Sequence, residues 1–482
     1  MWVLSHHAKR DERRQTVIQD WRDAVRAVHG VESKYKRLVK AIAADIEASV
    51  LTAGTRLPPQ RDVAGELQIS VQTVTNAYKE LERQGLIRCE VGRGSFVAPR
   101  VTEKMANYML DTAERSVIDF SIARIIHTPE HDAMWRKICA KLAKIEDQPW
   151  IRAFRPIAGF EHHRRAGVAW LDALRMPASI DTLLVTNGAA HGIFLALASL
   201  VRPGDTVVCE SLTDHGVIGS ANVLGFTLKG LEIDEFGIHP EHFEELCDSE
   251  RVTALVCTPN LNNPTVALMP ESRRRAIARI AERYGVYVIE DDVYGPLLTK
   301  PLPPISSLIP ELSFYCTSMT KSVLAGLRIG YLSTPRRLAL RTESTLRVSS
   351  WMATSPMAEI ATRWIDDGTA TRLVQIQRER LARRQALVAQ MLGSYVQGSH
   401  PHALSVWLRV PEHWQADHLV RALRKRHIAV TSPDPFLVRG VESRPNAVRL
   451  CVGAEVSDDV FAEALQTVRE VFEQYPQVHA VD

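Results

Sequence analysis

Five short apolar runs recur through the middle of this 482-residue chain, and helical patterns separate them. The runs lie at 182–185, 206–209, 254–257, 286–289 and 314–316. A strand that is apolar throughout is buried on both faces, and strands that alternate with helices form a parallel sheet covered by those helices. The pattern therefore predicts an α/β body with a mainly parallel central sheet. Ligands of such sheets bind at the carboxyl ends of the strands, so the residues after each run are the candidates for chemistry.

Small and polar residues follow several of these runs. The first run leads into Thr-Asn-Gly-Ala-Ala-His-Gly at 186–192 and then into a long helical pattern, IFLALASLV, at 193–201. Small residues at such a turn leave backbone N–H groups aimed at an anion, and a helix N-terminus adds partial positive charge. Later runs lead into TPNLNNPT at 258–265, EDDVYG at 290–295 and TSMTK at 317–321. These fragments form the candidate site.

The first hundred residues have a different pattern, in which apolar residues recur at helical spacing. The predicted elements are a helix over 35–50, a break with two prolines over 51–60, helices over 61–67 and 71–84, and a β-hairpin over 86–97. Ser70 is a favourable N-cap for the third helix. A Gly-Arg-Gly tip joins the two strands of the hairpin. This order of elements predicts a winged helix-turn-helix.

Charge and cysteine content limit the partners and the compartment. Residues 1–100 carry 17 Lys and Arg against 12 Asp and Glu, whereas the remainder carries 42 against 44. A positive N-terminal module fits contact with a polyanion. The 7 cysteines are scattered without metal-ligand spacing, which indicates reduced thiols and no metal site. The charged first thirty residues lack the apolar part of a signal peptide, and no apolar run is long enough to span a membrane. We therefore expect a cytoplasmic protein.

The segment GTRLPPQRDVAGELQISVQTVTNAYKELERQGLIRCEVGRGSFV at 54–97 resembles the GntR family of bacterial regulators. The resemblance implies that the second of the turn-linked helices enters the major groove of a double-stranded DNA operator. The DNA contacts that it implies are Arg61, Ser70, Gln72, Thr73, Thr75 and, on the wing, Arg93. Val71 and Thr75 stand where several members carry arginine, which predicts a different operator sequence. The apolar positions expected in the core are Val63, Ala64, Leu67, Val74, Ala77 and Leu81. A winged helix that contacts protein instead of DNA is the alternative.

The fragments after the central runs together resemble the aspartate-aminotransferase fold (fold type I), which binds pyridoxal 5′-phosphate, over roughly 119–482. The resemblance implies that Lys321 forms the Schiff base with this cofactor. It also implies that Asp291 pairs with the pyridine nitrogen and keeps it protonated, so that the ring acts as an electron sink. Asn263 and Tyr294 would hydrogen-bond the 3-oxygen of the ring.

The same resemblance assigns the phosphate and the effector. The phosphate ligands that it implies are Ser318, Arg328 and the amides of Ala189 and Ala190, with Arg328 as a charge-assisted contact. The run VRLCV at 448–452 matches the family segment whose arginine holds a substrate carboxylate in a bidentate fork. Arg449 takes that role here and is the predicted effector contact.

Two positions depart from the family pattern. Phe154, in FRPIAG at 154–159, stands where the family offers a tyrosine whose hydroxyl reaches the cofactor of the neighbouring subunit. Asp214, in ESLTDHG at 210–216, stands where an aromatic ring stacks on the cofactor, and His215 is an alternative stacking partner. Each loss costs on the order of 1 kcal/mol. We expect cofactor binding to survive both losses and turnover to be slower.

A winged helix-turn-helix joined to an aminotransferase-like domain is the arrangement of the MocR subfamily of GntR regulators. The predicted domains are an extension over 1–30, the DNA-binding domain over 31–100, a linker over 101–118 and the effector and dimerisation domain over 119–482. The resemblance implies a homodimeric transcription regulator that senses a small amine or amino acid. We do not expect a physiological enzyme. The alternatives are an active class I/II aminotransferase with a secondary regulatory role, and a regulator whose large domain is a dimerisation body without cofactor.

Overall fold

A computed structural model describes residues 21–22, 24–25, 33–47, 50–51, 54–83, 86–90, 94–97, 117–441 and 444–475. The chain forms two compact units, Met1–Ala113 and Glu114–Asp482. No helix among these described residues is long and apolar enough to cross a membrane.

The N-terminal unit is a winged helix-turn-helix, as predicted. Its elements are α1 (Lys34–Glu47), α2 (Gln60–Leu67), α3 (Val71–Arg83), β1 (Ile87–Glu90) and β2 (Gly94–Val97). The strands are antiparallel, and Ile87 pairs with Val97. All six predicted core residues of α2 and α3 are buried. The first helix was predicted to reach Val50, but α1 ends at Glu47 and Val50 is 56% exposed.

The turn between α2 and α3 follows from two residues. Gln68 ends α2 with φ +53°, and its amide donates to the carbonyls of Ala64 and Gly65. Ser70 begins α3, and its Oγ accepts from the amide of Thr73 at 3.1 Å. The predicted N-cap is therefore confirmed, and it satisfies an amide that has no partner within the helix.

Residues before the predicted DNA-binding domain also join its core. Trp21 is 1% exposed and Val25 is 3% exposed, and both belong to the apolar cluster of α1 to α3. The indole Nε1 of Trp21 donates to Asp45 Oδ2 at 2.6 Å. The extension at 1–30 thus contributes buried side chains to the DNA-binding unit.

A seven-stranded sheet forms the centre of the large unit. Its strands are β4 (Leu183–Thr186), β5 (Thr206–Glu210), β6 (Thr227–Leu231), β9 (Val252–Cys257), β10 (Tyr287–Asp291), β11 (Ser313–Ser318) and β12 (Gly330–Ser333). Their spatial order is β4-β12-β11-β10-β9-β5-β6. The strand β12 is antiparallel to β11 and β4, and the remaining pairs are parallel. The predicted mainly parallel sheet is confirmed.

Helices cover both faces of this sheet. Ile289 of β10 packs in the same apolar cluster as Ile193 of the helix Ala189–Leu200, whereas the adjacent Val288 packs with Ile277 of the helix Glu271–Tyr284. Successive side chains of a strand point to opposite faces, so these two clusters lie on the two sides of the sheet. This explains why the strands are apolar throughout.

The other elements of the large unit surround the sheet. The remaining strands are β3 (Ile118–Asp119), β7 (Ile233–Asp234), β8 (Gly237–Ile238), β13 (Val396–Gly398), β14 (Ser405–Arg409), β15 (Ile428–Ala429) and β16 (Ala447–Cys451). The helices α4 to α16 are Pro129–Leu142, Pro149–Arg152, Glu161–Asp172, Ala189–Leu200, His215–Leu224, Pro240–Ser249, Glu271–Tyr284, Ile305–Leu308, Ala339–Ser350, Ser355–Asp366, Thr369–Leu392, Ala416–Lys425 and Asp458–Glu473. A second sheet, in the order β13-β14-β16, carries Arg449.

Candidate functional site

Lys321 lies just beyond the carboxyl end of β11, beside the end of β10. Asp291 is the last residue of β10, where it pairs with Cys316, and Ser318 is the last residue of β11. Lys321 is half-buried, and its Nζ donates to the carbonyl of Ala123. Burial lowers the pKa of Lys321, and Arg449 and Arg328 lower it further, while Asp214 acts in the opposite direction. The amine is thus closer to its neutral, nucleophilic form than a free lysine.

Asp291 has a polar atom without a partner. The residue is 9% exposed, and its Oδ1 is buried without a hydrogen bond. Burial and the neighbouring Asp214 and Asp292 raise the pKa of Asp291 well above its usual range. A buried carboxylate oxygen without a partner is costly, and a protonated ring nitrogen beside it would remove the deficit. Asp291 therefore fits the role that pyridoxal phosphate requires.

An anion cradle begins at the end of β4. Gly188 has φ +84° and precedes the helix Ala189–Leu200. A Cβ at this position would lie 3.3 Å from Nη2 of Arg328, so the absence of a side chain lets the guanidinium approach the helix N-terminus. Arg328 has φ +51°. The predicted phosphate ligands Ala189 and Ala190 occupy the first turn of this helix, where amides and a cation together suit an anion.

Two hydroxyl groups beside Lys321 were not predicted as site residues. Thr320 and Ser322 are buried, and the Oγ1 of Thr320 and the Oγ of Ser322 have no hydrogen-bond partner. Ser318 is also buried. The signal for all three is the hydroxyl-rich run TSMTKS at 317–322. Buried hydroxyls without partners on both neighbours of Lys321 in sequence are consistent with a polar ligand in this part of the chain.

Hydrogen bonds also join a chain of polar side chains in the site. Asn263 Nδ2 donates to Asp214 Oδ2 at 3.0 Å, and Arg449 Nη1 donates to Asn263 Oδ1 at 2.7 Å. Arg449 Nη2 also donates to the carbonyl of Ser121, and its guanidinium lies 4.6 Å from the ring of Phe436. Arg449 is 3% exposed. The predicted effector contact is thus held by protein partners.

Asp214, which accepts from Asn263, has a second role. Its Oδ1 accepts from the amide of Gly216 at 2.8 Å, which caps the helix His215–Leu224. Burial opposes ionisation of Asp214, but His215, the Gly216 amide and Lys321 together lower its pKa. Asp214, which the sequence resemblance predicted in the place of a stacking aromatic, is therefore an ionised helix cap. Tyr294 is buried nearby, and burial together with Asp214 and Asp291 raises its pKa.

Phe154 lies in an open groove of about 520 Å³ instead of among these residues. It is 76% exposed, and its carbonyl accepts from Nε1 of Trp351 at 2.6 Å. The groove is lined by Trp150, Ile151, Ala153, Phe154, Trp351, Met352, Ala353, Thr354, Ser355 and Pro356. Ile151 is 64% exposed and Trp351 is 43% exposed. An exposed apolar surface of this kind is typical of a protein interface.

The predicted DNA contacts of the N-terminal unit lie at the start of α3 and on α2. Ser70, Gln72 and Arg61 are exposed, and Thr73 and Thr75 are partly exposed. The hydroxyls of Ser70 and Thr73 are 2.8 Å apart, and Thr75 Oγ1 donates to Gln60 Oε1 at 2.7 Å. Gln72 Nε2 donates to Oδ1 of Asn76, an exposed polar residue that was not predicted. Arg93 lies outside the described residues.

Comparison with known proteins relates the two units to two families. The family model for aminotransferases of class I and II matches residues 128–468, and the model for bacterial regulatory proteins of the gntR family matches residues 34–97. The uncharacterized HTH-type transcriptional regulator YdeF of Bacillus subtilis is 28% identical over 446 residues, which cover 91% of this chain and 94% of that protein.

Two further similarities agree with these matches. The probable rhizopine catabolism regulatory protein MocR of Rhizobium meliloti is 25% identical over 332 residues, which cover 63% of this chain and 66% of that protein. The crystal structure of kynurenine aminotransferase from Pyrococcus horikoshii has a TM-score of 0.69 at 20% identity and covers 78% of this chain and 94% of that chain. At this identity the second similarity shows the fold alone.

Proposed function

This chain belongs to the aminotransferase class I and II family and carries a GntR-family DNA-binding domain at its N-terminal end, and we propose that it is a transcription regulator that senses an amine. The observation that carries the proposal is the presence of both family matches in one chain. The similarity to the Bacillus subtilis regulator spans both units. The arrangement is that of the MocR-type regulators. The N-terminal unit binds an operator in double-stranded DNA, and the large unit holds the cofactor and the effector.

The proposed cofactor is pyridoxal 5′-phosphate, which supplies an aldehyde that amines can attack and a ring that withdraws electrons. Lys321 would hold it covalently, and Asp291 would pair with its ring nitrogen. Arg328, Ser318 and the first turn of the helix Ala189–Leu200 would hold its phosphate. The unpartnered Oδ1 of Asp291 and the close approach of Arg328 to Gly188 support this assignment.

Arg449 is the proposed anchor for a carboxylate of the effector. Asn263 accepts from one N–H of Arg449 Nη1, so a carboxylate that forms a bidentate pair with this guanidinium would compete with Asn263. Asn263 is also bonded to Asp214, so its displacement disturbs the residue that caps the helix His215–Leu224. An effector shifts a conformational equilibrium only through its different affinity for the two states. The open and closed forms of this network are two such states.

The proposed response needs two events in the site. Lys321 would release the aldehyde to the amino group of the effector, and its Nζ would take up the proton that this amino group loses, a charge that Asp214 favours. The carboxylate of the effector would compete with Asn263 for Arg449. We propose that the resulting change in the large unit alters operator binding by a homodimer, in which the exposed Phe154 faces the second subunit.

The test is an absorbance titration followed by an operator-binding assay. Purified protein should carry the band of a lysine-bound aldehyde, and a panel of amino acids should include one that shifts this band at stoichiometric amounts. The same amino acid should change operator affinity measured by fluorescence anisotropy. A protein that is colourless after incubation with pyridoxal phosphate would contradict the cofactor assignment and favour a dimerisation body without cofactor.

A second candidate is an active aminotransferase with a secondary regulatory role. It is favoured by the presence of Lys321, Asp291 and Arg449 in one site. The discriminating measurement is product formation from an amino acid and a keto-acid acceptor. Several turnovers per site would support the enzyme, whereas a single spectral change without turnover supports the sensor.

A further inference from the structure

A cluster of two histidines and a glutamate joins two helices of the large unit. His162 and His163 lie in the helix Glu161–Asp172, and Glu359 lies in the helix Ser355–Asp366. His162 Nε2 is 2.8 Å and His163 Nε2 is 3.1 Å from Glu359 Oε2. In the part of the chain that the structure describes, this is the one group of three or more His, Cys, Asp or Glu residues whose ligand atoms lie within 4.8 Å of one another.

The convergence of the two imidazoles is unusual for neighbours on a helix. Adjacent residues of an α-helix point about 100° apart, since the helix has about 3.6 residues per turn. Both rings nevertheless direct Nε2 to the same carboxylate oxygen, and their centroids are 4.2 Å apart. Phe160 packs against both rings, at 5.7 Å and 5.3 Å between centroids. The two nitrogens and the oxygen thus form a fixed group of three atoms that could each bind a metal ion.

Arg363 holds the carboxylate of the glutamate in a fixed orientation. Glu359 is 3% exposed, and its second oxygen, Oε1, accepts from Arg363 Nε at 2.6 Å. A group that binds the free oxygen of a ligating carboxylate fixes its orientation. Arg363 holds Glu359 in this way.

We propose that His162, His163 and Glu359 bind one divalent transition-metal cation, with Zn²⁺ as the best match to two imidazoles and a carboxylate. Each ring would offer the lone pair of Nε2 and keep its proton on Nδ1. Ligand distances of about 2.0–2.2 Å require the three donor atoms to separate by a few tenths of an ångström from their present spacing. The side chain of His162 is 48% exposed, so the cation can enter from solvent and retain a water as its fourth ligand.

The position of this cluster suggests what the cation does. Each of the two helices follows a segment that lines the groove of Phe154: residues 150–154 precede the first helix, and residues 351–354 lead directly into the second. Arg363 also lies 5.7 Å from the ring of Trp150, which lines the same groove. A cation would therefore link the helices next to the groove and stabilise its shape. Binding of a cation at His162, His163 and Glu359 does not require the cofactor.

The experiment is a titration of the full-length protein, stripped with a chelator, with ZnCl₂ by isothermal titration calorimetry. One site per chain is expected, together with a higher Tm in the presence of Zn²⁺. H162Q and E359Q should weaken this site roughly 100-fold or more, because changes beyond the first ligands already cost about 10- to 100-fold. The matched control is H127Q, since His127 is an exposed histidine 2.9 Å from the carboxylate of Asp132. H127Q should bind like the wild type.

A second measurement identifies the ligands directly. Co²⁺ in place of Zn²⁺ should give the intense visible absorption of a four-coordinate site, and H162Q should lose it. H162Q is also the variant least expected to disturb folding, because its side chain is half-exposed; its far-UV circular dichroism should match the wild type. Equal Zn²⁺ affinity in H162Q, E359Q and the wild type would overturn the proposal, as would the absence of a site in the wild type, which would leave a hydrogen-bonded network only.

Discussion

The two sides of the candidate site differ in how their polar groups are satisfied. The Oδ1 of Asp291 and the hydroxyls of Thr320 and Ser322, which flank Lys321 in sequence, are buried without partners. On the anchoring side, Asp214, Asn263 and Arg449 are bonded to one another in a chain. A buried polar group without a partner costs free energy that a bound ligand would recover, whereas groups that are bonded to each other lose these bonds only when a ligand competes for them. We call Lys321, Asp291, Thr320 and Ser322 the attachment side, which has partners to offer a ligand. We call Asp214, Asn263 and Arg449 the anchoring side, where a ligand has to compete with existing hydrogen bonds.

The largest expected effect tests the attachment side. K321A should abolish the absorbance band of a lysine-bound aldehyde and the response of operator binding to the effector, because no other amine can form that bond at this position. Operator binding itself should remain, since the winged helix lies in the other unit. The control is K300A at an exposed lysine, which should keep the band. A band of equal intensity in K321A would show that the attachment point lies elsewhere.

The next effect tests the anchoring side. R449Q should weaken binding of an amino-acid effector by roughly 30-fold or more, because removing one partner of a buried charged pair costs about 2–5 kcal/mol. An amine of the same size without a carboxylate should lose little affinity. Titration of the absorbance band with both ligands measures the two values. R439Q, at an exposed arginine, is the control.

Equal losses for the carboxylate-bearing ligand and for the plain amine in R449Q would contradict this division of roles. They would indicate that Arg449 supports the structure of the site instead of contacting the effector. Its bond to Asn263 and its contact with Phe436 make such a structural contribution measurable as a lower Tm.

Replacing Asp291 should weaken cofactor binding but raise the free energy of unfolding of the cofactor-free protein. D291N should weaken cofactor retention roughly 10- to 100-fold, since a hydrogen bond to a charged group contributes about 1.5–3 kcal/mol. The cofactor-free variant should nevertheless be more stable than the wild type at neutral pH, because a buried carboxylate without a partner has been removed. Dialysis against buffer measures the first effect and urea unfolding measures the second.

The same residue sets a pH dependence. The pKa of Asp291 is raised in the folded protein, so between its unfolded and folded pKa values the folded state binds more protons. The free energy of unfolding of the cofactor-free wild type should therefore fall as the pH rises through that window, and D291N should lose this contribution. Parallel pH profiles in the two proteins would contradict an unpartnered, ionisable Asp291.

The fold was largely predictable from the sequence because its signals are local. Apolar strands that alternate with helices indicate a parallel sheet, and the cap at Ser70 marks the start of α3. The end of the first helix was not predictable, because the apolar spacing continues to Val50 although the side chain is exposed there. Trp21 and Val25 were not recognised as core residues, because two apolar residues within a charged segment do not form a helical pattern that predicts burial.

The site was predictable only as a set of fragments. Lys321, Asp291 and Arg328 follow strands that the pattern identifies, but the link from Asp214 through Asn263 to Arg449 joins residues 49 and 186 positions apart. Such contacts depend on how loops from two sheets meet, which no periodicity encodes. The cluster of His162, His163 and Glu359 was missed for the same reason, as 196 residues separate His163 from Glu359.

The smallest expected effect tests whether binding at Arg449 is coupled to cofactor attachment at Lys321. In D214N the amide still caps the helix His215–Leu224 through its oxygen, but the group facing Nδ2 of Asn263 becomes a donor and that hydrogen bond is lost. A hydrogen bond to a charged carboxylate contributes about 1.5 kcal/mol or more, so the carboxylate of the effector should compete roughly tenfold better for Arg449.

D214N should act on Lys321 as well. Asp214 raises the pKa of this lysine, and its replacement by an uncharged side chain should move the midpoint of cofactor attachment to lower pH. Absorbance followed against pH measures that midpoint, and D205N, at an aspartate that accepts from the Arg202 amide, is the matched control. A tighter effector with an unchanged midpoint would mean that the anchoring side opens independently of the attachment side. A shift in both values would mean that Asp214 couples the two sides.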